Sequence, residues 1–427
     1  MAKRRANGEG TITKRKDGRY HAAAYVYRPD GTRTRKFVYG KTRDEVAQKL
    51  TEIQEKTRQG IPAATSTMAL ADYLTYWLSA VAPTRLKPAT LNSYEGLTRL
   101  YIAPALGRKR LNRLSPADIR LFLAQFKDTC LCCLRGVDAA REKLAQACCA
   151  KGKCCQRQPS ARTVQYVHAT LSAALQQAVR EELIGRNVAR IVETPTAVNQ
   201  EVQPLDREEA QKLLRAARTH RFHALWLLLI SVGLRRGEVL ALSWNDVDLD
   251  NGQLRVRRNL QRVSKELIFG TPKTKRSMRT VSLPRRCITA LKARNSEQQK
   301  EQSAAGEKWD PLPHQPDGLV FTTVTGRPTE PRSLNRMLTV LCRKAQVRRV
   351  RVHDLRHTCA SLLLEQGVDA RTIMETLGHS TITLTLNTYA HVMDTTLRAA
   401  AERMDDALGA DDSGEGDDGA AGVPAAV

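Results

Sequence analysis

The chain has 427 residues, enough for two or three domains with cores of their own. With 41% hydrophobic residues it is no disordered polymer, and no apolar run reaches the ~18 residues a membrane-spanning helix needs. Its 69 Lys and Arg against 44 Asp and Glu leave a formal charge of +25, which favours a polyanionic partner, above all nucleic acid, over a merely soluble basic protein.

No apolar stretch follows Met1-Ala2-Lys3-Arg4-Arg5, so the start is no secretory signal and a cytoplasmic place is expected. The 10 cysteines should then be thiols or metal ligands and not disulfides. Strand-like runs at 11–15, 20–27 and 32–39 alternate with the turn signals Gly8-Glu9-Gly10, Lys16-Asp17-Gly18 and Pro29-Asp30-Gly31. These turns predict a three-stranded antiparallel meander, followed by a helix over 42–58 with Val46, Leu50 and Ile53 on one face. One sheet face is expected to carry Lys14, Arg15, Lys16, Arg19, Arg33, Arg35 and Lys36, which suits either the major groove of DNA or a solvated basic surface. Residues 59–66, with Gly60 and Pro62 among small side chains, read as a linker.

Residues 67–195 are expected to be helical. Leu70, Tyr73, Leu74, Trp77 and Leu78 share one face, and Pro88 and Thr90 open a second helix over 90–101. Ser115 caps a third, over 119–126, and Val164, Val167, Leu171, Leu175 and Ala178 line a fourth, over 160–180. Between the last two lies an insertion, 129–158, that crowds Cys130, Cys132, Cys133, Cys148, Cys149, Cys154 and Cys155 among lysines and arginines. This density of sulfur suggests one structural zinc on Cys130, Cys133, Cys149 and Cys154. The spacing fits no zinc pattern cleanly, and reduced thiols in a mobile insertion are the alternative.

A second linker at 193–204 leads into the largest unit. Asp206 caps a helix running to Arg218, and residues 223–231 form a nearly all-apolar helix closed by Gly233 in the left-handed conformation, with a further helix over 239–242. Strands and a turn are expected over 244–248 and 253–257, and strands over 266–269 and 279–283 would put Lys273 and Lys275 on a hairpin tip. Helices over 333–344, 359–366 and 370–377 follow, and the acidic residues 401–427 read as a disordered tail. The fold class expected is mainly α with small β-sheets (α+β).

A phosphodiester spreads negative charge over its non-bridging oxygens and repels nucleophiles unless fixed cations surround the phosphorus. Arginine donates bidentately to phosphate oxygens and stays charged at any working pH. Arg235 leaves the turn at Gly233, and Arg356 sits in the run His353-Asp354-Leu355-Arg356-His357, so both have rigid neighbours; Glu238 can fix a nearby cation. Tyr389 is the candidate nucleophile, because clustered cations lower a phenol's pKa from ~10 and phenolate leaves readily enough for a reversible ester. His379 lies 10 residues before it, close enough in the chain to reach the same site.

In chain order, Gly233-Leu234-Arg235-Arg236-Gly237-Glu238, the lysine pair, His353-Asp354-Leu355-Arg356-His357-Thr358, Leu377-Gly378-His379-Ser380 and Thr388-Tyr389 resemble the successive boxes of the tyrosine recombinase family, most closely its phage and mobile-element integrases. The resemblance implies an arm-type DNA-binding domain over 1–60, a helical core-binding domain over 67–195 and a catalytic domain over 200–400. It implies a site-specific recombinase in which Tyr389 forms a 3′-phosphotyrosyl bond and frees a 5′-hydroxyl. Arg235, Arg356 and His379 would hold the scissile phosphate, His353 would assist proton transfer, and Lys273 or its rival Lys275 would protonate the departing oxygen, with Glu238 at the family's acidic supporting position. Catalysis would need no metal or nucleotide. The partners implied are double-stranded DNA attachment sites, a homotetramer in the synaptic complex and an excision factor, near the nucleoid of a bacterium. The cysteine-rich insertion departs from the family pattern, and some members carry tryptophan in the place of His379. Two rival readings are a relaxing enzyme like type IB topoisomerases and a DNA-binding regulator with an inactive catalytic fold. The two modules ahead of the last domain weigh against the first, and the full set of catalytic residue types weighs against the second.

Overall fold

The computed structural model describes residues 11–27, 32–58, 68–197, 203–272, 277–378, 401–402 and 404–408. They fall into two compact units divided at Asn199 and Gln200.

In the first unit Thr13–Lys14 (β1), Tyr20–Tyr27 (β2) and Arg33–Gly40 (β3) form an antiparallel sheet in that order, and Arg43–Arg58 (α1) covers one face. Ala22, Ala24 and Val38 are buried against Val46 and Leu50 of α1, while Tyr25, Tyr27, Phe37 and Tyr39 stand about half exposed on the other face. Arg33 lies over the Tyr25 ring at 4.0 Å and Arg35 over Phe37 at 5.5 Å. The basic residues expected on one face are therefore split. Lys36 pairs with Ala24 on the α1 side, because Arg35 and Lys36 are consecutive and strand neighbours point to opposite faces.

The rest of the unit is helical. Leu70–Tyr76 (α2) continues through a π turn at Trp77–Val81 into Ala82–Arg85 (α3), and Pro88–Leu97 (α4) continues through a π turn at Thr98–Ile102 into Ala103–Leu106 (α5). Each wide turn precedes a proline, Pro83 or Pro104, whose ring displaces the carbonyl four residues back, so the helix widens instead of ending. Pro116–Asp128 (α6) opens on a capping box between Ser115 and Asp118; the short Leu131–Leu134 (α7) lies in the cysteine-rich insertion. Ala161–Arg180 (α8) runs through the core, where Tyr73 donates its hydroxyl to the Ala174 carbonyl at 3.0 Å.

The second unit is built on Arg207–Ala217 (α9) and His223–Ser231 (α10), followed by Arg236–Leu240 (α11). Every residue of α10 from Ala224 to Ile230 is buried, as its unbroken apolar run requires. Val247–Asp248 (β4), Gln253–Val256 (β5), Asn259–Val263 (β6), Glu266–Gly270 (β7) and Arg279–Ser282 (β8) make a three-stranded sheet, β4-β5-β8, and a separate β6-β7 pair. The expected hairpin between 266–269 and 279–283 does not form. Instead β7 folds back on β6 across Ser264-Lys265, with Ser264 at φ +52° as a tight two-residue turn demands, and β8 pairs with β5. Lys273 and Lys275, expected on the tip of that hairpin, lie outside the described residues.

Arg285–Ala305 (α12), Pro331–Lys344 (α13), Asp354–Glu365 (α14) and Ala370–Leu377 (α15) complete the unit. Where a disordered tail was expected from 401, residues 401–402 and 404–408 are helical, in keeping with the strong helix formers Ala401, Glu402, Met404 and Leu408. Among the described residues no helix is long and apolar enough to cross a membrane.

Candidate active site

The site is assembled where the end of α10, the start of α11, the N-terminal turn of α14 and the C-terminus of α15 converge. Gly233 closes α10 at φ +66°, and a side chain there would collide with Leu377 and press on Cys359. That close approach leaves the Gly233 carbonyl free to accept from Arg356, whose guanidinium donates to Gly233 at 2.6 Å and to the Leu377 carbonyl at 2.6 Å. Arg356 is only 2% exposed. Burial first, then the guanidiniums of Arg235 and Arg279, pull its pKa down to about 9, so it is still a cation at neutral pH and short of negative charge.

Arg235 sits at the N-terminus of α11, a third exposed, and donates to Glu238 at 2.7 Å and to the Gly378 carbonyl at 2.8 Å. Glu238 also accepts the Arg235 backbone N–H at 3.0 Å and the Arg279 guanidinium at 3.1 Å. Burial opposes charge on this carboxylate, but Arg279 and Arg235 outweigh it and hold its pKa below the ordinary value. Arg279, which sequence reasoning did not single out, donates in turn to the Thr376 carbonyl at 2.7 Å. One buried carboxylate therefore orients two arginines, and four carbonyls at the ends of two helices fix the rest.

His353 precedes α14 at the rim of the cleft, its ring edge-on to His357 with centroids 5.1 Å apart. Partial enclosure, then His357 and Arg356, hold its pKa well below the usual histidine range, so the ring is a neutral proton acceptor at neutral pH. Asp354 is engaged elsewhere, forking Arg351 at 2.8–3.1 Å. In front of Arg235 and His353 opens a cleft of about 940 Å³, lined also by Arg236, Arg262, Arg332, Arg349 and Arg351 and, among the described residues, by no carboxylate. Such a surface draws and seats a polyanion. His379 and Tyr389, like Lys273, lie outside the described residues; His379 follows directly on Gly378 in the sequence.

Of the four cysteines expected to hold zinc, Cys130, Cys133, Cys149 and Cys154 do stand together, with sulfurs within 4.8 Å of one another.

Known proteins resemble this chain along nearly its whole length. Residues 203–396 match the phage integrase family, and residues 69–126 match the N-terminal SAM-like domain of phage integrases. A tyrosine recombinase XerC-like protein of Caldanaerobacter subterraneus subsp. tengcongensis is 31% identical over 393 residues, 88% of this chain and 93% of that protein. An integrase of Streptomyces ambofaciens is 27% identical over 95% of this chain and 98% of its own length. In fold, the chain is similar to the Tn1549 transposon integrase, solved in complex with transposon right end DNA, with a TM-score of 0.60 at 19% identity over 79% of this chain and 99% of that one.

Proposed function

Because the chain belongs to the tyrosine recombinase family, as a site-specific DNA recombinase of the phage and mobile-element integrase type, we propose that Tyr389 is its nucleophile and that Arg235, Arg356 and His379 hold the scissile phosphate. The observation that carries this reading is the paired anchoring of two guanidiniums on the backbone at Gly233, Leu377 and Gly378, one residue short of His379. The Tyr389 phenolate attacks phosphorus as the bond to the 5′-oxygen breaks, and the result is a 3′-phosphotyrosyl ester. His353, neutral at working pH, takes up the phenol proton. Lys273, or Lys275 in its place, gives a proton to the departing 5′-oxygen, and the reversed sequence rejoins the strand. Glu238 acts through Arg235 as a positioning residue. The ester conserves the bond energy, so the reaction of this family needs no cofactor.

Around this centre, residues 1–60 act as an arm-type DNA-binding domain that uses the aromatic and arginine face of β2 and β3, and residues 67–195 grip the core site. Recombination brings four protomers together on two double-stranded attachment sites, excision requires a partner factor, and the work takes place in the cytoplasm at the bacterial nucleoid.

A duplex with a nick beside the cleavage position traps the ester, because the short 5′ fragment diffuses away. Wild type should form the covalent adduct, and Tyr389→Phe should bind the same duplex with unchanged affinity and form none; an adduct with that variant would overturn the assignment. Lys273→Ala should lose cleavage by at least tenfold and recover it on a duplex with sulfur as the 5′-bridging atom, since a thiolate leaves unprotonated. If Lys275→Ala alone shows that rescue, the general acid is Lys275.

A further inference from the structure

The single zinc expected from four cysteines leaves Cys132, Cys148 and Cys155 unexplained, and the structure gathers these three around a member of the first set. Cys132, Cys148, Cys149 and Cys155 form a second group with sulfurs all within 4.8 Å of one another. Cys149 belongs to both groups, and together they use every cysteine of the insertion. None is a disulfide: the closest Sγ pairs, Cys133 with Cys154 and Cys149 with Cys155, are 3.7 Å apart, against ~2.05 Å for a bonded pair. Tetrahedral zinc with Zn–S bonds of about 2.3 Å sets its sulfurs roughly 3.8 Å apart. Within the first group Cys130–Cys149 at 3.9 Å and Cys133–Cys154 at 3.7 Å match that edge, and within the second Cys132–Cys148 at 3.9 Å and Cys149–Cys155 at 3.7 Å do so.

We propose that the insertion holds a binuclear zinc centre, two tetrahedra of cysteine thiolates that share Cys149 as a bridging ligand. Three further observations agree with it. The insertion has no apolar core to order it: among its described residues only Cys130 and Cys132 are buried apolar side chains, and Leu134, Val137 and Leu144 are exposed. A segment so poor in buried surface needs a staple. The turn that presents Cys148 and Cys149 is preformed by Asp138, itself fully buried, whose carboxylate accepts the backbone N–H groups of Ala147, Cys148 and Ala150 at 2.9–3.0 Å. Two divalent ions with seven thiolates leave a net charge of about −3, and Arg135, Lys143, Lys151, Lys153 and Arg157 in the same segment supply the compensating cations.

This inference concerns the first unit only and stands apart from the assignment of the catalytic residues. The full chain, purified from zinc-supplemented cells and desalted, should carry two zinc ions per chain by mass spectrometry of the metal. A value of one or none overturns the binuclear centre. Cys154→Ala and Cys155→Ala should each retain one zinc, whereas Cys149→Ala should fall below one; retention of one full zinc by Cys149→Ala overturns the bridge. Loading wild type with cadmium-113 avoids any variant that fails to fold. Two resonances coupled to each other through the shared sulfur are expected, and a single resonance or two uncoupled ones count against the proposal.

Discussion

At the scale of single residues, the site turns on Glu238. Its carboxylate is almost fully buried and bonded to Arg235 and Arg279, so removing its charge leaves Arg279 enclosed without a counter-ion. Breaking such a buried pair costs roughly 3 kcal/mol or more. Glu238→Gln should lower stability to urea by about that amount and reduce adduct formation at least tenfold, while affinity for a duplex changes little, because Arg236, Arg262, Arg332, Arg349 and Arg351 still line the cleft. Unfolding and suicide-duplex cleavage, measured on the same preparation, check both halves. The two histidines supply a pH dependence. Folding holds the pKa of His353, and that of His357, below the unfolded value of ~6.5. Between those values the unfolded chain binds more protons, so stability is complete above about pH 6.5 and declines as the pH falls below it. Urea midpoints at pH 7.5 and 5.5 should separate more for wild type than for a His353→Asn, His357→Gln double variant. Residue types and spacing were enough to single out Arg235, Arg356 and Glu238, which the fold brings together, whereas His353 entered through the family resemblance. Arg279 was not: nothing in Arg279-Thr280-Val281-Ser282 distinguishes an arginine reaching the Glu238 carboxylate from one at a strand edge.

At the scale of elements, local signals held where one rule dominated and failed where pairing partners had to be chosen. The apolar run of α10 and the capping boxes at Ser115 and Asp206 state their own structure. The strand at Asn259–Val263 was missed because only Leu260 of its side chains is fully buried, and without it β7 had no visible partner but β8. Helix α12 was missed for a related reason: its inward stripe is Cys287, Leu291, Arg294 and Gln298, so half of it is polar. Those polar groups are satisfied inside the fold, Arg294 by Glu301 and the Val320 carbonyl, Gln298 by the Leu319 carbonyl. The contact between α11 and β6 matters to the chemistry. A methyl on Gly237 would run into the Asn259 side chain and the Leu260 carbonyl, so Gly237→Ala must push α11, with Arg235 at its start, away from the sheet. A loss of about 1–3 kcal/mol in stability is expected, with a larger fall in cleavage rate than Gly96→Ala, whose Cβ meets nothing within 4 Å. Equal rates for the two variants would mean that Arg235 tolerates the shift.

For the whole molecule, charge and chemistry are divided between the two units. Residues 1–199 carry 35 Lys and Arg against 16 Asp and Glu, whereas residues 200–427 carry 34 against 28. The anchored arginines, Glu238 and the cleft all lie in the second unit, which has its own large hydrophobic core from Leu205 to Leu355. With the proposed catalytic residues in the second unit and the larger excess of positive charge in the first, we expect affinity for DNA to rest mainly on the first unit and cleavage on the second. Each phosphate that a protein neutralises adds about 0.9 to the slope of log affinity against log salt. Residues 200–427 expressed alone should fold, bind a core-site duplex with a slope several units shallower than the full chain, and still form the covalent adduct when protein is raised enough to compensate for the weaker binding. Titrations of both proteins between 50 and 200 mM salt give the two slopes directly. If the slopes coincide, the excess charge of the first unit is not engaged with phosphate, and its basic and aromatic surface serves some purpose other than holding DNA.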